Sequence, residues 1–212
     1  MRNEVYPKIF TWLFIGLLVS FATGYALSTN LDMLKTVANI GLFPILIIEI
    51  GIAIALGTCI NKLSPTIMKL LYLVYSFTTG LTLSFVFIVY EMQSVITIFL
   101  TTAIITGLMA LYGYKTKSDL SKIGKFLTIG LIGMIIGSLL NIFLFKNTIV
   151  DTGLSLLGVG IFTILIAYDI NRVKYLVPAV GEEKAAIYGA FQIYLDFINL
   201  FLRLLSLFGK EN

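Results

Sequence analysis

Apolar residues in this chain come in long runs separated by short polar breaks, rather than alternating or marking one helical face. A helix that crosses a membrane needs about 20 mostly apolar residues. Seven runs meet that requirement: Ile9–Leu27, Ala38–Thr58, Ile67–Tyr90, Val95–Tyr112, Gly124–Phe145, Gly153–Asn171 and Ala186–Phe208. Periodicity within them is weak, as expected of helices that meet lipid on most sides. The breaks are clearer. Ser28-Thr29-Asn30, Asn61-Lys62-Leu63-Ser64-Pro65 and Lys146-Asn147-Thr148 are turn-rich or charged, and Lys115 through Lys125 is the most charged linker. Val177-Pro178-Ala179-Val180-Gly181 reads as a break before the last run. The pattern predicts an all-α integral membrane protein, a seven-transmembrane-helix bundle that forms one domain over residues 1–212.

The first run follows Arg2 and Lys8, but it exceeds the apolar core of about 7–15 residues usual in a signal peptide, so a retained helix is expected. The loops are too short to fold alone. No internal repeat is visible, which argues against an inverted-repeat transporter.

Composition narrows the function. Hydrophobic residues make up 58% of the 212 and charged residues 12%, and the mean hydropathy is +1.00. A soluble protein carries about 45–50% and about 25%. Disordered chains, collagen-like fibres and soluble nucleic-acid binders are excluded. The net charge of +4 reads as loop topology, not as a nucleic-acid surface. There is no histidine, and Cys59 is the one cysteine. An internal disulfide is impossible, and zinc proteolysis, haem ligation and Ser-His-Asp catalysis lose their usual ligand or base. The chain is expected not to be an enzyme and to need no cofactor.

Basic residues set the expected orientation. With the N-terminus and loops 2–3, 4–5 and 6–7 go Arg2, Lys8, Lys62, Lys69, Lys115, Lys117, Lys122, Lys125, Arg172, Lys174 and Lys184; the other side holds Lys35, Lys146 and Lys210. This places the N-terminus in the cytosol and the C-terminus outside. Glycines 24, 80, 107, 133 and 137 are expected to allow close helix approach.

The chemistry lies in ionisable residues inside the spans: Glu49, Asp169, Asp196 and Arg203. Each costs roughly 2.5–3.5 kcal/mol at mid-bilayer on insertion scales, so each must face the bundle interior, pair or become neutral. In the seventh span Gln192, Asp196, Asn199 and Arg203 follow i, i+4, i+7, i+11 and form one polar stripe. Asp196 and Arg203 are about 10.5 Å apart along the axis, too far for a good direct pair. Asp169 stands near the cytosolic end of the sixth span, and the seventh runs back antiparallel, so Asp169 and Asp196 can meet. Two carboxylates that close in a low dielectric do not both ionise easily, so the pair would share one proton and titrate as a unit. Alternatively, Asp169 caps the loop beside Arg172. Glu49 either lines a pore or pairs with Arg203, or it stays protonated on a backbone group.

Two segments resemble the transmembrane Bax inhibitor motif family, in particular its bacterial members: Ala167-Tyr168-Asp169-Ile170-Asn171, and the longer Ile193-Tyr194-Leu195-Asp196-Phe197-Ile198-Asn199-Leu200-Phe201-Leu202-Arg203-Leu204-Leu205. Glu49 falls where that family carries an acid in its second helix. The resemblance implies a seventh helix surrounded by the other six, and a pH-sensitive calcium leak of the inner (plasma) membrane. It also implies that the aspartates corresponding to Asp169 and Asp196 form a hydrogen-bonded proton sensor and gate. Lys62 stands nearly alone where bacterial relatives cluster basic residues, and a eukaryotic-type basic tail has no counterpart, so tail-based regulation is not expected.

The expected partners are calcium ions, protons and the lipid bilayer, with a homo-oligomer conceivable and no nucleic acid. Calcium prefers oxygen ligands, and Asp169, Asp196 and Glu49 offer carboxylates for transient contact, with Gln192 and Asn199 beside them. Calcium/proton exchange is the alternative. An intramembrane aspartyl protease fits Tyr168-Asp169 but not Tyr194-Leu195-Asp196, which stands where such enzymes carry Gly-x-Gly-Asp.

Overall fold

A computed structural model describes residues Glu4–Asn212; Arg2, counted above among the basic residues, lies outside them. The described residues form eight helices: α1 Val5–Ser28, α2 Leu31–Ile40, α3 Leu42–Thr58, α4 Pro65–Val89, α5 Met92–Lys115, α6 Ser121–Leu140, α7 Thr148–Val180 and α8 Glu182–Phe208. A single π-type turn, Asn141–Phe145, extends α6. Six helices are long and apolar enough to cross a membrane, and seven if α2 and α3 count as one bent span. The large apolar side chains left exposed, such as Phe14, Phe43, Phe126 and Phe143, are those a bilayer would cover.

Two boundaries differ from the sequence expectation. The run Ala38–Thr58 is not one straight helix. The chain turns by 73° between α2 and α3, where Gly41 takes φ +79°, a left-handed backbone that side chains with a Cβ resist. Asn30 starts α2 by accepting the Asp32 and Met33 N–H groups. The second difference is at Pro178. It does not end α7, which runs on to Val180. A proline removes one N–H donor and crowds the carbonyl a turn before it, but α7 carries this through its last residues, and the break falls at Gly181, φ +83°.

The chain packs as two compact units. The first comprises residues up to Glu91 with Val173–Tyr194 and Glu211–Asn212. In it α1 runs parallel to α4, with edge-to-face pairs Trp12–Tyr72 and Phe21–Phe87 along the seam. The backbones come so near that a Cβ on Gly80 would lie 2.8 Å from the Ser20 carbonyl oxygen. α3 packs on α4, and Ile45, Ile52 and Leu56 are its buried side chains. The start of α8 brings Phe191 and Tyr194 against Tyr72 and Tyr75.

The second unit comprises Met92–Arg172 and Leu195–Lys210. Here α6 lies antiparallel on α7, so that Gly137 faces Leu154, Gly130 faces Ile161 and Gly124 faces Tyr168. Of the glycines expected at helix contacts, Gly24, Gly80 and Gly137 meet a neighbour, while Gly107 and Gly133 have open space beside them.

Candidate functional site

The second unit brings together the two aspartates of the sixth and seventh apolar runs, which are α7 and α8. Asp169 is 6% exposed and Asp196 5%, and their carboxyls are in hydrogen-bond contact with each other. An ionised carboxylate only accepts, so a bond between two carboxyls requires a proton on one of them. Arg172, one turn along α7, acts electrostatically on Asp169. Both features weighed from the sequence, the acid partner and the neighbouring arginine, are therefore present. The Oδ2 atom of Asp196 is buried with no hydrogen-bond partner. A buried polar atom left this way is costly and marks a site that is not at its stability optimum.

The surroundings hold the pair in place. Phe197 and Phe201, on α8 beside Asp196, make edge contacts with Phe99 of α5 at 5.3 and 6.4 Å between centroids. On the α7 side the residues flanking Asp169 are wedged. A Cβ on Gly113 would lie 2.2 Å from the Ala167 carbonyl oxygen, and one on Gly124 2.2 Å from the Tyr168 ring. Only glycine admits such an approach. Asn171, 2% exposed, donates its amide to the carbonyl oxygens of Gly113 (3.4 Å) and Ser118 (3.3 Å).

The remaining predicted residues have separate partners. Arg203 is half-buried, reaches the Ser155 hydroxyl at 3.5 Å and lays its alkyl chain over Gly158. Asn199 donates to the carbonyl of Leu195 in its own helix at 2.8 Å. Gln192, half-buried, belongs to the first unit. So does Glu49, which accepts from the Thr79 hydroxyl at 3.0 Å. Among the described residues no group of three or more cysteine, aspartate or glutamate side chains is arranged around a common metal position.

The sequence reading passed over several residues. Asn171 was legible only as part of a longer motif. The bonds of three consecutive residues at the start of α8, of which only Lys184 was counted and only for orientation, also escaped it: Glu182 pairs with Lys8 at 2.5 Å, Glu183 with Lys69 at 2.5 Å, and Lys184 donates to the carbonyls of Ile60 and Asn61 at 3.2 and 3.3 Å. Partners 114–174 positions away in sequence leave no local signal.

A family profile described as inhibitor of apoptosis-promoting Bax1 matches residues 2–212, nearly the whole chain. The chain belongs to the Bax inhibitor family. Among similar proteins, the inner membrane protein YbhL of Escherichia coli K12 is 38% identical over 96% of this chain and 90% of its own. A protein of Borreliella burgdorferi is 36% identical over 100% and 94%. A membrane protein of Streptococcus pyogenes is 30% identical over 99% and 94%. Two of these relatives, those of Escherichia coli and Streptococcus pyogenes, are named as membrane proteins, which agrees with the long apolar helices.

Proposed function

We propose that this Bax inhibitor family member is a pH-sensitive calcium leak channel of the cell membrane, with Asp169 and Asp196 as its proton sensor and gate. In this reading α2 and α3 form one broken span, the chain crosses seven times, and α8 is the inner helix. Support for an inner α8 is its burial: 56% of its apolar window is buried, against 17–39% in the other spans. Eleven basic residues on one side against three on the other support a cytosolic N-terminus and an external C-terminus.

The observation that carries the proposal is the contact between two buried carboxyls. One shared proton satisfies that contact and keeps α7 and α8 together at their acidic turns. When the proton leaves, two like charges face each other in a low dielectric and repel, which drives those turns apart and opens the path. Leak therefore rises as pH rises through the pair's titration range. Strong acidification, by neutralising both acids, weakens cation attraction. Calcium is cargo here, passing carboxylate and amide oxygens contributed by Asp169, Asp196, Glu49, Gln192 and Asn199, while Arg203 supports the polar stripe of α8.

Calcium flux into proteoliposomes tests this. Asp169→Asn and Asp196→Asn should each flatten the pH dependence; wild-type pH dependence in both variants contradicts the proposal. Uphill calcium movement driven by a proton gradient would select exchange over leak. We assign no enzymatic step: the second acidic motif lacks the Gly-x-Gly-Asp pattern of intramembrane aspartyl proteases.

A further inference from the structure

The linker between α5 and α6 combines two features that have no use in the gate itself. Its surface is basic: Lys115, Lys117, Lys122 and Lys125 are all exposed, within eleven positions at the ends of two apolar helices. The acid among them, Asp119, is occupied in accepting the Ser121 N–H at 2.9 Å. Exposed Tyr112 and Tyr114 stand just before the linker, as aromatic rings do where a helix leaves a bilayer. Four lysines against the headgroup region match the chemistry that holds anionic phospholipids.

The second feature is mechanical. The linker and its two flanks grip one short stretch of α7 at three points. Gly113, before the linker, lies under Ala167; Gly124, after it, lies under Tyr168. Within the linker, the Ser118 carbonyl accepts from the Asn171 amide. Asp169 sits in the middle of the gripped stretch. A buried amide that spans two carbonyls of another segment ties the two together more tightly than apolar contact does, since releasing it leaves buried polar groups unpaired.

We propose that the α5–α6 linker is a docking surface for anionic phospholipid headgroups, and that Asn171 passes the linker's position to the Asp169 turn of α7. Lysine is a strongly hydrated point charge on a flexible stem, so docking draws the linker toward the headgroups without demanding one geometry. Asn171 is a positioning residue in this scheme. Headgroup charge regulates the gate by shifting the helix that carries one of its acids, which rests on the function proposed above only for the effect on flux.

Hydrogen exchange on full-length protein in nanodiscs tests the inference without relying on transport. Adding phosphatidylglycerol to phosphatidylcholine should slow exchange in residues 115–125 about five- to thirtyfold, the scale of one or two lysine–headgroup contacts, and should also slow residues 167–171. Replacing all four lysines with glutamine should abolish both effects. Asn171→Leu should keep protection of the linker and lose that of 167–171; Asn171→Ser repeats the test if the leucine variant does not fold. An unchanged wild-type linker overturns the docking surface, and equal protection of 167–171 without Asn171 overturns the relay. Glycerol phosphate added to phosphatidylcholine nanodiscs is the soluble arm, and protection by it would overturn the assignment to lipid. In flux assays, phosphatidylglycerol should shift the pH response further in wild type than in Asn171→Leu. Exchange as expected without any calcium flux would sink the leak channel and leave this inference standing.

Discussion

Two buried polar clusters meet α8 two residues apart in sequence, and they are built on opposite principles. At Tyr194, in the first unit, hydroxyls and backbone carbonyls carry the bonds, and Glu49, held by Thr79, acts on the ring's hydroxyl only by its charge. The Tyr194 hydroxyl lies 2.5 Å from that of Ser20, which also reaches the Ser76 and Gly16 carbonyls at 2.7 and 3.0 Å. Ser76 donates to the Tyr72 carbonyl, and Tyr72 to that of Trp12, both at 2.9 Å. At Asp196, in the second unit, both members are acids, their contact needs a borrowed proton, and one oxygen has no partner. A satisfied hydroxyl network has one state and acts as interhelical glue. An acid pair has at least two, which differ by a proton. On the function proposed above, the first cluster serves stability and the second switching.

Changes at each cluster should therefore be read out differently. The largest stability effect is expected at the wedge beside the acid pair. Gly113→Ala forces a Cβ into the Ala167 carbonyl and should cost about 1–3 kcal/mol, seen as a lower midpoint of denaturant unfolding in detergent. Gly107→Ala, with nothing within 4 Å, should be neutral or gain up to about 1 kcal/mol of helix propensity. If both cost the same, the wedge is not what holds α5 to α7.

A smaller effect is expected at the hydroxyl cluster. Tyr194→Phe removes one satisfied interhelical bond and should cost about 1 kcal/mol while leaving the pH dependence of calcium flux unchanged. A flattened pH profile in that variant would erase the distinction between the clusters. Glu183→Gln, at a half-exposed ion pair with Lys69, should destabilise still less, and its deficit should vanish at high salt.

The smallest effect lies at Asp119. A hydrogen bond from the Ser121 side chain, then one from its backbone, holds this carboxyl below the usual carboxylate range. A depressed folded-state value stabilises above the unfolded value and is lost as pH falls through the folded one. Asp119→Ala should therefore show a slight loss of stability near neutrality that disappears in acid, measurable as converging thermal midpoints.

These predictions also mark how far the sequence could be read. The apolar runs gave the helices because length and hydropathy are one-dimensional properties. Asp169 and Asp196 stood out because ionisable groups are rare inside such runs. The bend at Gly41 was hidden because hydropathy registers side chains and not dihedral angles; the hint was Asp32, Lys35, Thr36 and Asn39 sharing one face just before it. Pro178 misled because a helix can carry one missing donor, whereas the chain turns where Gly181 takes a positive φ. Glu49 and Arg203 could be paired on paper by charge alone, yet Glu49 takes a threonine hydroxyl and Arg203 a serine. Asn171 carried no charge and broke no pattern, so only its two carbonyl partners reveal what it does.

The central claim, that a proton joins Asp169 to Asp196 and its loss parts them, is tested most directly by their carboxyl separation in bilayer-embedded protein at one acidic and one alkaline pH. The account predicts hydrogen-bond contact, about 2.5–3 Å between oxygens, in acid, and separation beyond about 4 Å in alkali, where two charges no longer share a bond. The same separation at both pH values would contradict it.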